Sequence, residues 1–88
     1  IDNNSSIHIS SPVHGEIYIL GPSEDNYEIE LVASSNLPIN EITWYIDGRE
    51  HGRVGPPYKT KWLLSQGTHT ITAVGPDHSG DSIELEVR

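Results

Sequence analysis

Histidine and carboxylate side chains are the groups with which this sequence could hold a metal ion or transfer a proton. A zinc site needs roughly three or four converging ligands, often at short sequence spacings. The histidines show no such spacing: His8, His14, His51, His69 and His78. Asp77 and Asp81 flank a turn, but two carboxylates fall short of the roughly six oxygens that calcium needs. We therefore expect no metal site and no cofactor.

Two pairs of glutamates could suggest a glycoside hydrolase. Glu28 with Glu30, and Glu84 with Glu86, alternate with apolar residues, so each pair shares one face of a predicted strand. Neighbours on one strand face are about 7 Å apart, which is a carboxylate spacing that some glycosidases use. Hydrolysis also needs a cleft and one carboxyl group in an apolar pocket. Because these pairs occupy wet strand faces, we interpret them as solubilising residues.

Positive charge is concentrated in one part of an otherwise acidic chain. Four of the five basic residues lie between positions 49 and 61, close to aromatic side chains. Such side chains together can stack on a sugar or bind an anionic partner. We predict an interaction patch with these members: Tyr45, Arg49, Arg53, Tyr58, Lys59 and Lys61. The alternative is that Trp62, beside this patch, is a second core tryptophan and that the cations only balance nearby acids.

Length, charge and composition restrict the function classes. The chain has 88 residues and a net charge of -8, which excludes a general binder of DNA, RNA or anionic lipid. No apolar run approaches the roughly 20 residues that span a bilayer. The absence of cysteine excludes disulfides, thiolate zinc sites and cysteine nucleophiles. Because the sequence lacks methionine and begins at Ile1, we expect a segment of a longer protein.

Apolar and polar residues alternate with a period of two along the sequence, and helical spacing is absent. Strands must therefore position these side chains. The alternation covers residues 27–34, 68–73 and 82–88, while Ile42–Ile46 is β-branched and aromatic. Shorter predicted strands are Ile7–Ser10, Ile17–Leu20 and Tyr58–Trp62. Turn signals such as Asp47–Gly48 separate the strands at intervals of roughly 8–12 residues, with His51 and His78 in predicted loops.

This pattern predicts an all-β domain over residues 7–88, after a leader at residues 1–6. The expected fold is an immunoglobulin-like antiparallel β-sandwich of about seven strands, with a small barrel as the alternative. Such a sandwich commonly buries a tryptophan on its third strand, where Trp44 lies; Tyr45 would then point outward. His69 shares a face with Ile71 and Ala73, so we expect it to point inward. Its ring would need hydrogen-bond partners, because a buried unpaired polar group costs about 1–3 kcal/mol.

Four sequence pieces in a fixed order carry a family resemblance. They read S-P-x-x-G-x-I-Y, I-x-L-x-A, W-Y-I-D-G and W-x-L-x-x-G-x-H-x-I, at Ser11–Tyr18, Ile29–Ala33, Trp44–Gly48 and Trp62–Ile71. In this order they resemble the C-terminal domain of penicillin-binding protein C, a bifunctional peptidoglycan synthase. The resemblance runs from about Ile7 to Val87 and departs at Gly75–Gly80, where a plainer turn is expected. It implies a bacterial periplasmic or cell-surface setting and assigns no chemistry to this domain.

The sequence lacks the S-x-x-K pattern that carries the catalytic serine of the host enzyme. Transpeptidases of this class carry S-x-x-K, S-x-N and K-T-G, and Lys59–Thr60–Lys61 imitates the third with lysine in place of glycine. We therefore expect a non-catalytic accessory domain, which acts as a protein-interaction or spacer module in cell-wall synthesis. Its parent chain would be a transglycosylase and transpeptidase.

The expected partners are catalytic domains of the host chain or another cell-wall protein. Two alternatives stay open. The first is a module that binds peptidoglycan glycan through Tyr45, Tyr58 or Trp62, because aromatic rings give sugars a flat apolar platform. The second is a generic immunoglobulin-like domain of a secreted surface protein or hydrolase.

Overall fold

The computed structural model describes residues 7–19, 27–36, 39–76 and 78–88. Within these ranges the chain forms eight strands and no helix. The strands are β1 (Ile7–Ser11), β2 (Ile17–Tyr18), β3 (Glu28–Ser35), β4 (Ile42–Ile46), β5 (Arg49–Val54), β6 (Lys59–Leu63), β7 (Gly67–Val74) and β8 (Gly80–Val87). The predicted leader at residues 1–6, the end of the second predicted strand at Leu20, and Asp77 of the predicted turn lie outside the described residues.

The strands form two sheets that pack face to face. The three-stranded sheet has the order β1-β3-β6, and the five-stranded sheet has the order β2-β8-β7-β4-β5. The pairing is antiparallel except between β2 and β8, which run parallel. Two separate sheets confirm the predicted sandwich and not the barrel. Neither sheet closes on itself, so four of the described strands are edge strands: β1, β6, β2 and β5.

The core lies between the sheets and follows the period-two pattern of the sequence. Alternate residues of each long strand face inward, which removes their apolar surface from water. Trp44, Leu31, Ile42 and Ile71 are completely buried, and the inward position of Trp44 is confirmed. The indole Nε1–H of Trp44 is buried with no acceptor among the described residues.

Strand β5 was not predicted, and the expectation of a loop around His51 is wrong. Asp47 and Gly48 both have positive φ angles, 55° and 84°, which is typical of the two-residue hairpin turn that the Asp-Gly signal predicts. The turn returns the chain onto β4, where Arg49 pairs with Ile46. A register shift follows, so that His51 lies opposite no residue of β4. Pairing with β4, and not apolar alternation, makes this segment a strand.

Candidate functional site

The four cations of the predicted patch lie on two edge strands of opposite sheets. Arg49 and Arg53 belong to β5 at the edge of the five-stranded sheet, and Lys59 and Lys61 belong to β6 at the edge of the three-stranded sheet. The imidazole Nε2 of His51 lies 2.7 Å from the Lys61 carbonyl oxygen and joins the two edges. The sandwich therefore brings the two cation-bearing strands side by side.

Strand register puts four members of the patch on two different outer faces and puts Arg49, opposite Ile46, on neither of them. Arg53 is opposite Thr43, which puts it on the same outer face of the five-stranded sheet as Tyr45. Lys59 and Lys61 are opposite Val32 and Glu30, on the outer face of the three-stranded sheet. The structure brings Tyr45 and Arg53 to one face and the two lysines to the other.

Tyr58 has a packing role on the inner side of this region. It is half-buried against the core, and its hydroxyl donates a hydrogen bond of 2.6 Å to the Ile39 carbonyl oxygen. Tyr58 also has a positive φ of 61°, so its backbone marks the bend that leads into β6. These contacts fix the ring against the scaffold.

Neighbouring acids compensate the charge of the patch. The Arg53 guanidinium Nε lies 3.3 Å from a Glu50 carboxylate oxygen, and both side chains are about half exposed. Lys61 is directly opposite Glu30. Exposed pairs of this kind contribute about 0–1 kcal/mol, but charged side chains on edge strands oppose pairing with a further strand. The cations therefore have a structural explanation in addition to the predicted binding role.

Trp62 is a core residue and not an exposed platform. Its side chain is only 8% exposed, because pairing with Ile29 of β3 places it on the inward face of β6. Its indole ring makes a T-shaped contact with the His69 ring, with ring centroids 5.0 Å apart and an interplanar angle of 76°. The alternative that Trp62 is a second core tryptophan is confirmed, and a glycan site built on Trp62 is wrong.

His69 points inward as predicted, and both of its ring nitrogens have partners. Nδ1 lies 2.6 Å from the Asp47 carboxylate and Nε2 lies 2.9 Å from the Ser65 carbonyl oxygen. Both partners are acceptors, so both contacts are hydrogen bonds only when the ring carries a proton on each nitrogen. The ring thus fastens the β4–β5 turn to the loop that enters β7.

The Asp47 carboxylate is the centre of the corner that the β4–β5 turn forms with β7 and the loop that enters it. Its second oxygen accepts a 2.9 Å hydrogen bond from the Thr70 backbone N–H. Desolvation by burial raises the pKa of Asp47, but the hydrogen bonds from His69 and Thr70 and the nearby charges of His69 and Arg49 outweigh it. The pKa of Asp47 is therefore lowered from its ordinary value of 3.8. These contacts indicate a structural role for His69.

Asp81 performs a comparable structural task at the opposite side of the sandwich. One carboxylate oxygen accepts a hydrogen bond of 2.9 Å from the Ile9 backbone N–H of β1, and His8 Nδ1 lies 3.6 Å from that same oxygen. His14 accepts a hydrogen bond of 3.1 Å from the Glu84 backbone N–H through its Nδ1. In the described ranges, no three His, Asp or Glu side chains approach one another closely enough to hold a metal ion.

The paired glutamates lie on outer faces, as expected. Glu28 and Glu30 are exposed on β3, and Glu84 and Glu86 alternate with buried Leu85 on β8. A cavity of about 200 Å³ lies beside Glu84 and Glu86, where the segment from His14 to Ile17 passes over β8. This cavity could not be predicted from the sequence, because it depends on the parallel pairing of β2 with β8.

Comparison with known proteins decides the family once this geometry is established. The chain matches the Penicillin-Binding Protein C-terminus Family over residues 2–88. The chain belongs to this family. The resemblance in the four sequence pieces is thereby confirmed, and membership in a penicillin-binding protein family associates the chain with the cell envelope. No curated protein matches the chain, and no helix within the described part is long and apolar enough to cross a membrane.

Solved structures of similar shape confirm the fold of this penicillin-binding protein domain. The fibronectin(III)-like modules of Clostridium thermocellum CbhA are 18% identical, with a TM-score of 0.74 and coverage of 93% of this chain and 95% of theirs. A Bacteroides uniformis beta-glucuronidase 3 is 25% identical, with a TM-score of 0.67; the match covers 96% of this chain and 11% of the enzyme. A Jonesia denitrificans lytic polysaccharide monooxygenase is 18% identical, with a TM-score of 0.54, over 90% of this chain and 61% of that one.

Proposed function

We propose that the chain is a non-catalytic accessory domain of a peptidoglycan synthase, which contacts other proteins of cell-wall synthesis or spaces the domains of its own chain. The observation that carries this proposal is the family match over residues 2–88. The site adds support, because three of the ionisable side chains that sequence analysis considered for chemistry make contacts within the scaffold. His69 joins two loops, Asp81 holds β1, and His51 joins two edges.

Membership in the family supports a setting in the cell envelope. A penicillin-binding protein that polymerises and cross-links the wall works in the periplasm or at the cell surface, and we place this domain there. The beta-glucuronidase match, which covers only 11% of that enzyme, gives an example of such a sandwich as one part of a large enzyme. We infer that the parent chain likewise carries its transglycosylase and transpeptidase chemistry in other domains.

Binding to the catalytic segment of the parent chain tests the interaction role. The 88-residue chain is titrated by calorimetry with the purified transglycosylase–transpeptidase segment, and the proposal predicts saturable binding. The predicted patch is tested with two separate variants, Arg53→Glu and Lys59→Glu, because strand register puts these side chains on opposite outer faces. Loss of binding in one variant alone identifies the face that is used.

The matched control for both variants is Glu41→Gln, which changes the charge of an exposed residue outside the patch. A catalytic segment that fails to bind the wild-type chain, together with purified wall proteins of the same cell that also fail, would contradict the interaction role. The spacer role would then remain. Its test is the activity of the whole synthase after this domain is replaced by a flexible linker of equal span.

A glycan-binding role is the second candidate, and one observation favours it. The outer face of the five-stranded sheet places Tyr45 next to Thr72 of β7, whose hydroxyl lies 3.0 Å from the Ser82 hydroxyl. An aromatic ring beside hydroxyl groups can contact a sugar. Because both tryptophans are buried, indole fluorescence is a poor reporter here, and the Tyr45 ring signals in NMR spectra should be followed instead. Tyr45 signals that stay unchanged with millimolar peptidoglycan fragments would contradict this candidate.

A further inference from the structure

The short strand β2 directs part of its backbone away from the protein. The Glu16 and Tyr18 carbonyl oxygens accept hydrogen bonds from the backbone N–H groups of Glu86 and Arg88, at 3.1 Å and 2.8 Å. In a parallel pair, alternate residues bond to the same neighbour, so the N–H and C=O groups of Ile17 point to the opposite side. No described residue bonds to them. The backbone of Ile17 is therefore available to a further strand.

The other three sheet edges are closed by side chains or by irregular backbone. Asp81 accepts the Ile9 N–H of β1, and the ring of His51 bonds to the Lys61 carbonyl oxygen of β6. Strand β5 contains the register shift at His51 and carries Arg49, Glu50 and Arg53. Caps, bulges and charges are the features by which proteins prevent strand addition.

Strand β2 has exposed apolar side chains where the edge strands β5 and β6 have charges. Ile17 is 48% exposed, and its neighbour Ile19 is 75% exposed. Val13, in the loop before the strand, is 65% exposed. Exposed large apolar residues next to free backbone groups are the combination that strand addition requires, because the backbone supplies hydrogen bonds and the side chains supply burial.

Charge around β2 indicates the chemistry of the strand that would add to it. The cavity of about 200 Å³ beside Ile17 is lined by Glu84 and Glu86, and the exposed Glu16 lies next to Ile17 in the chain. Arg88 compensates one of these carboxylates, with Nε 3.1 Å from Glu86. The remaining negative charge favours a cationic partner. It opposes a second copy of this chain, which has a net charge of -8.

We propose that β2 is a docking edge for an extended segment of a partner protein in which lysine or arginine alternates with apolar residues. Its backbone pairs with Ile17, and its basic side chains lie on the face that Ile17 shares with Glu86. There their aliphatic stems cover Ile17 and Ile19 while their charges reach toward Glu84 and Glu86, and its apolar side chains lie on the opposite face, beside Tyr18. Neighbouring strands are about 5 Å apart, so an extended basic side chain on the added strand spans the width of β2. This inference rests on the proposed interaction role and names the surface and partner chemistry for it.

A designed peptide tests the docking edge directly. The probe is a ten-residue peptide of alternating valine and lysine, and its control has glutamate in place of lysine. With the lysine peptide, NMR spectra of the 88-residue chain should show shifts at the Ile17 and Ile19 amides. Hydrogen exchange at Ile17 should slow by about tenfold or more, because its N–H gains an acceptor. The glutamate peptide should bind about tenfold more weakly or not at all.

Two variants separate edge pairing from general attraction. Ile17→Pro removes only an N–H that points away from β8, and an edge strand tolerates proline at such a position. It should weaken binding by about tenfold or more, whereas Ile17→Val should bind as the wild type does. Unchanged spectra of Ile71 and Trp44 show that each variant is folded.

Four results would overturn the proposal. The first three are no shift at millimolar lysine peptide, shifts centred on β5 or β6, and equal binding by Ile17→Pro. Slow exchange at Ile17 that appears without peptide as protein concentration rises would identify a second copy as the occupant, and would also overturn it. Failure of the edge and failure of the proposed function are distinguishable. If the catalytic segment binds wild type and Ile17→Pro equally, the interaction role is supported and the docking edge at β2 is contradicted. If the designed peptide pairs with Ile17 but no wall protein binds the chain, the docking edge is supported and the interaction role is contradicted.

Discussion

The two lateral sides of the sandwich differ in how they finish their sheets. On the β5–β6 side, two edge strands meet, the ring of His51 bonds across to Lys61, and charged residues line both strands. On the β2 side, a two-residue strand exposes Ile17 and the following Ile19. The side that attracts attention in the sequence through its charge is the closed one. The side with an open backbone edge has no cation on its edge strand β2.

If β2 is the docking edge, as proposed, charge clustering and binding capacity are separate properties. In an acidic chain, four cations within a short segment suggest a ligand, but the same cations on edge strands also prevent unwanted pairing. A ligand-binding role and an edge-protecting role of these cations are therefore tested with different variants. The β5–β6 side and the β2 side should differ in their contribution to stability and in their response to pH.

The largest expected effect is on the β5–β6 side, in the core. Trp62→Ala should destabilise the chain by about 3–5 kcal/mol, because it removes a buried aromatic that packs on His69. Ile17→Ala on β2 should change the free energy of unfolding by less than about 0.5 kcal/mol, since Ile17 is half exposed. Urea unfolding followed by circular dichroism measures both. Similar losses in both variants would mean that β2 is an integral part of the core.

The corner at Asp47 should respond to acid. Because the folded pKa of Asp47 is lowered from its ordinary value of 3.8, its contribution to stability is complete above that value and is lost as pH falls through the folded pKa. Asp47→Asn should therefore cost about 1 kcal/mol at pH 7, and the gap to wild type should close at lower pH. The control is Glu50→Gln, whose gap should stay within about 0.5 kcal/mol at any pH. A gap for Asp47→Asn that is constant from pH 7 to pH 2 would contradict the proposed role.

The β2 side should respond to alkali instead. Desolvation by burial, the charge of Glu16 and a hydrogen bond to Glu16 raise the pKa of Tyr18 to about 12. A raised folded pKa gives stability that is complete below the ordinary value of 10 and is lost as pH rises through the folded value. Wild type should lose stability between these two values more steeply than Tyr18→Phe, as measured by urea unfolding at several pH values. Equal slopes would mean that Tyr18 is not held against Glu16.

The smallest expected effect concerns the exposed ion pair. Arg53→Gln removes the contact with Glu50 and should change stability by less than about 0.5 kcal/mol. The consequence expected from edge protection is a greater tendency to associate, which light scattering at increasing protein concentration would detect. Glu41→Gln is the matched control. A stability loss above about 1 kcal/mol would show that the pair supports β5 directly.

Alternation was sufficient to predict the long strands β3, β7 and β8 and the inward direction of His69. The inward direction of Trp44 was predicted from the expected fold class, which commonly buries a tryptophan on its third strand. Strand β5 was missed because it has no apolar alternation, and only the Asp47–Gly48 turn implied a returning strand. The division of the patch depends on register: Lys61 faces outward because it pairs with Glu30. The β2 edge was beyond reach because a parallel pair between residues far apart in the chain leaves no local signal.

The measurement that decides most directly between the two sides is a paired titration with the catalytic segment of the parent chain. One variant is Ile17→Pro on β2, and the other is the combined Arg49→Glu, Arg53→Glu and Lys59→Glu on the β5–β6 side. We predict that the first binds about tenfold or more weakly than wild type and that the second stays within about twofold. Loss of binding by the charge variant with full binding by Ile17→Pro would contradict this account and return the binding site to the cationic patch.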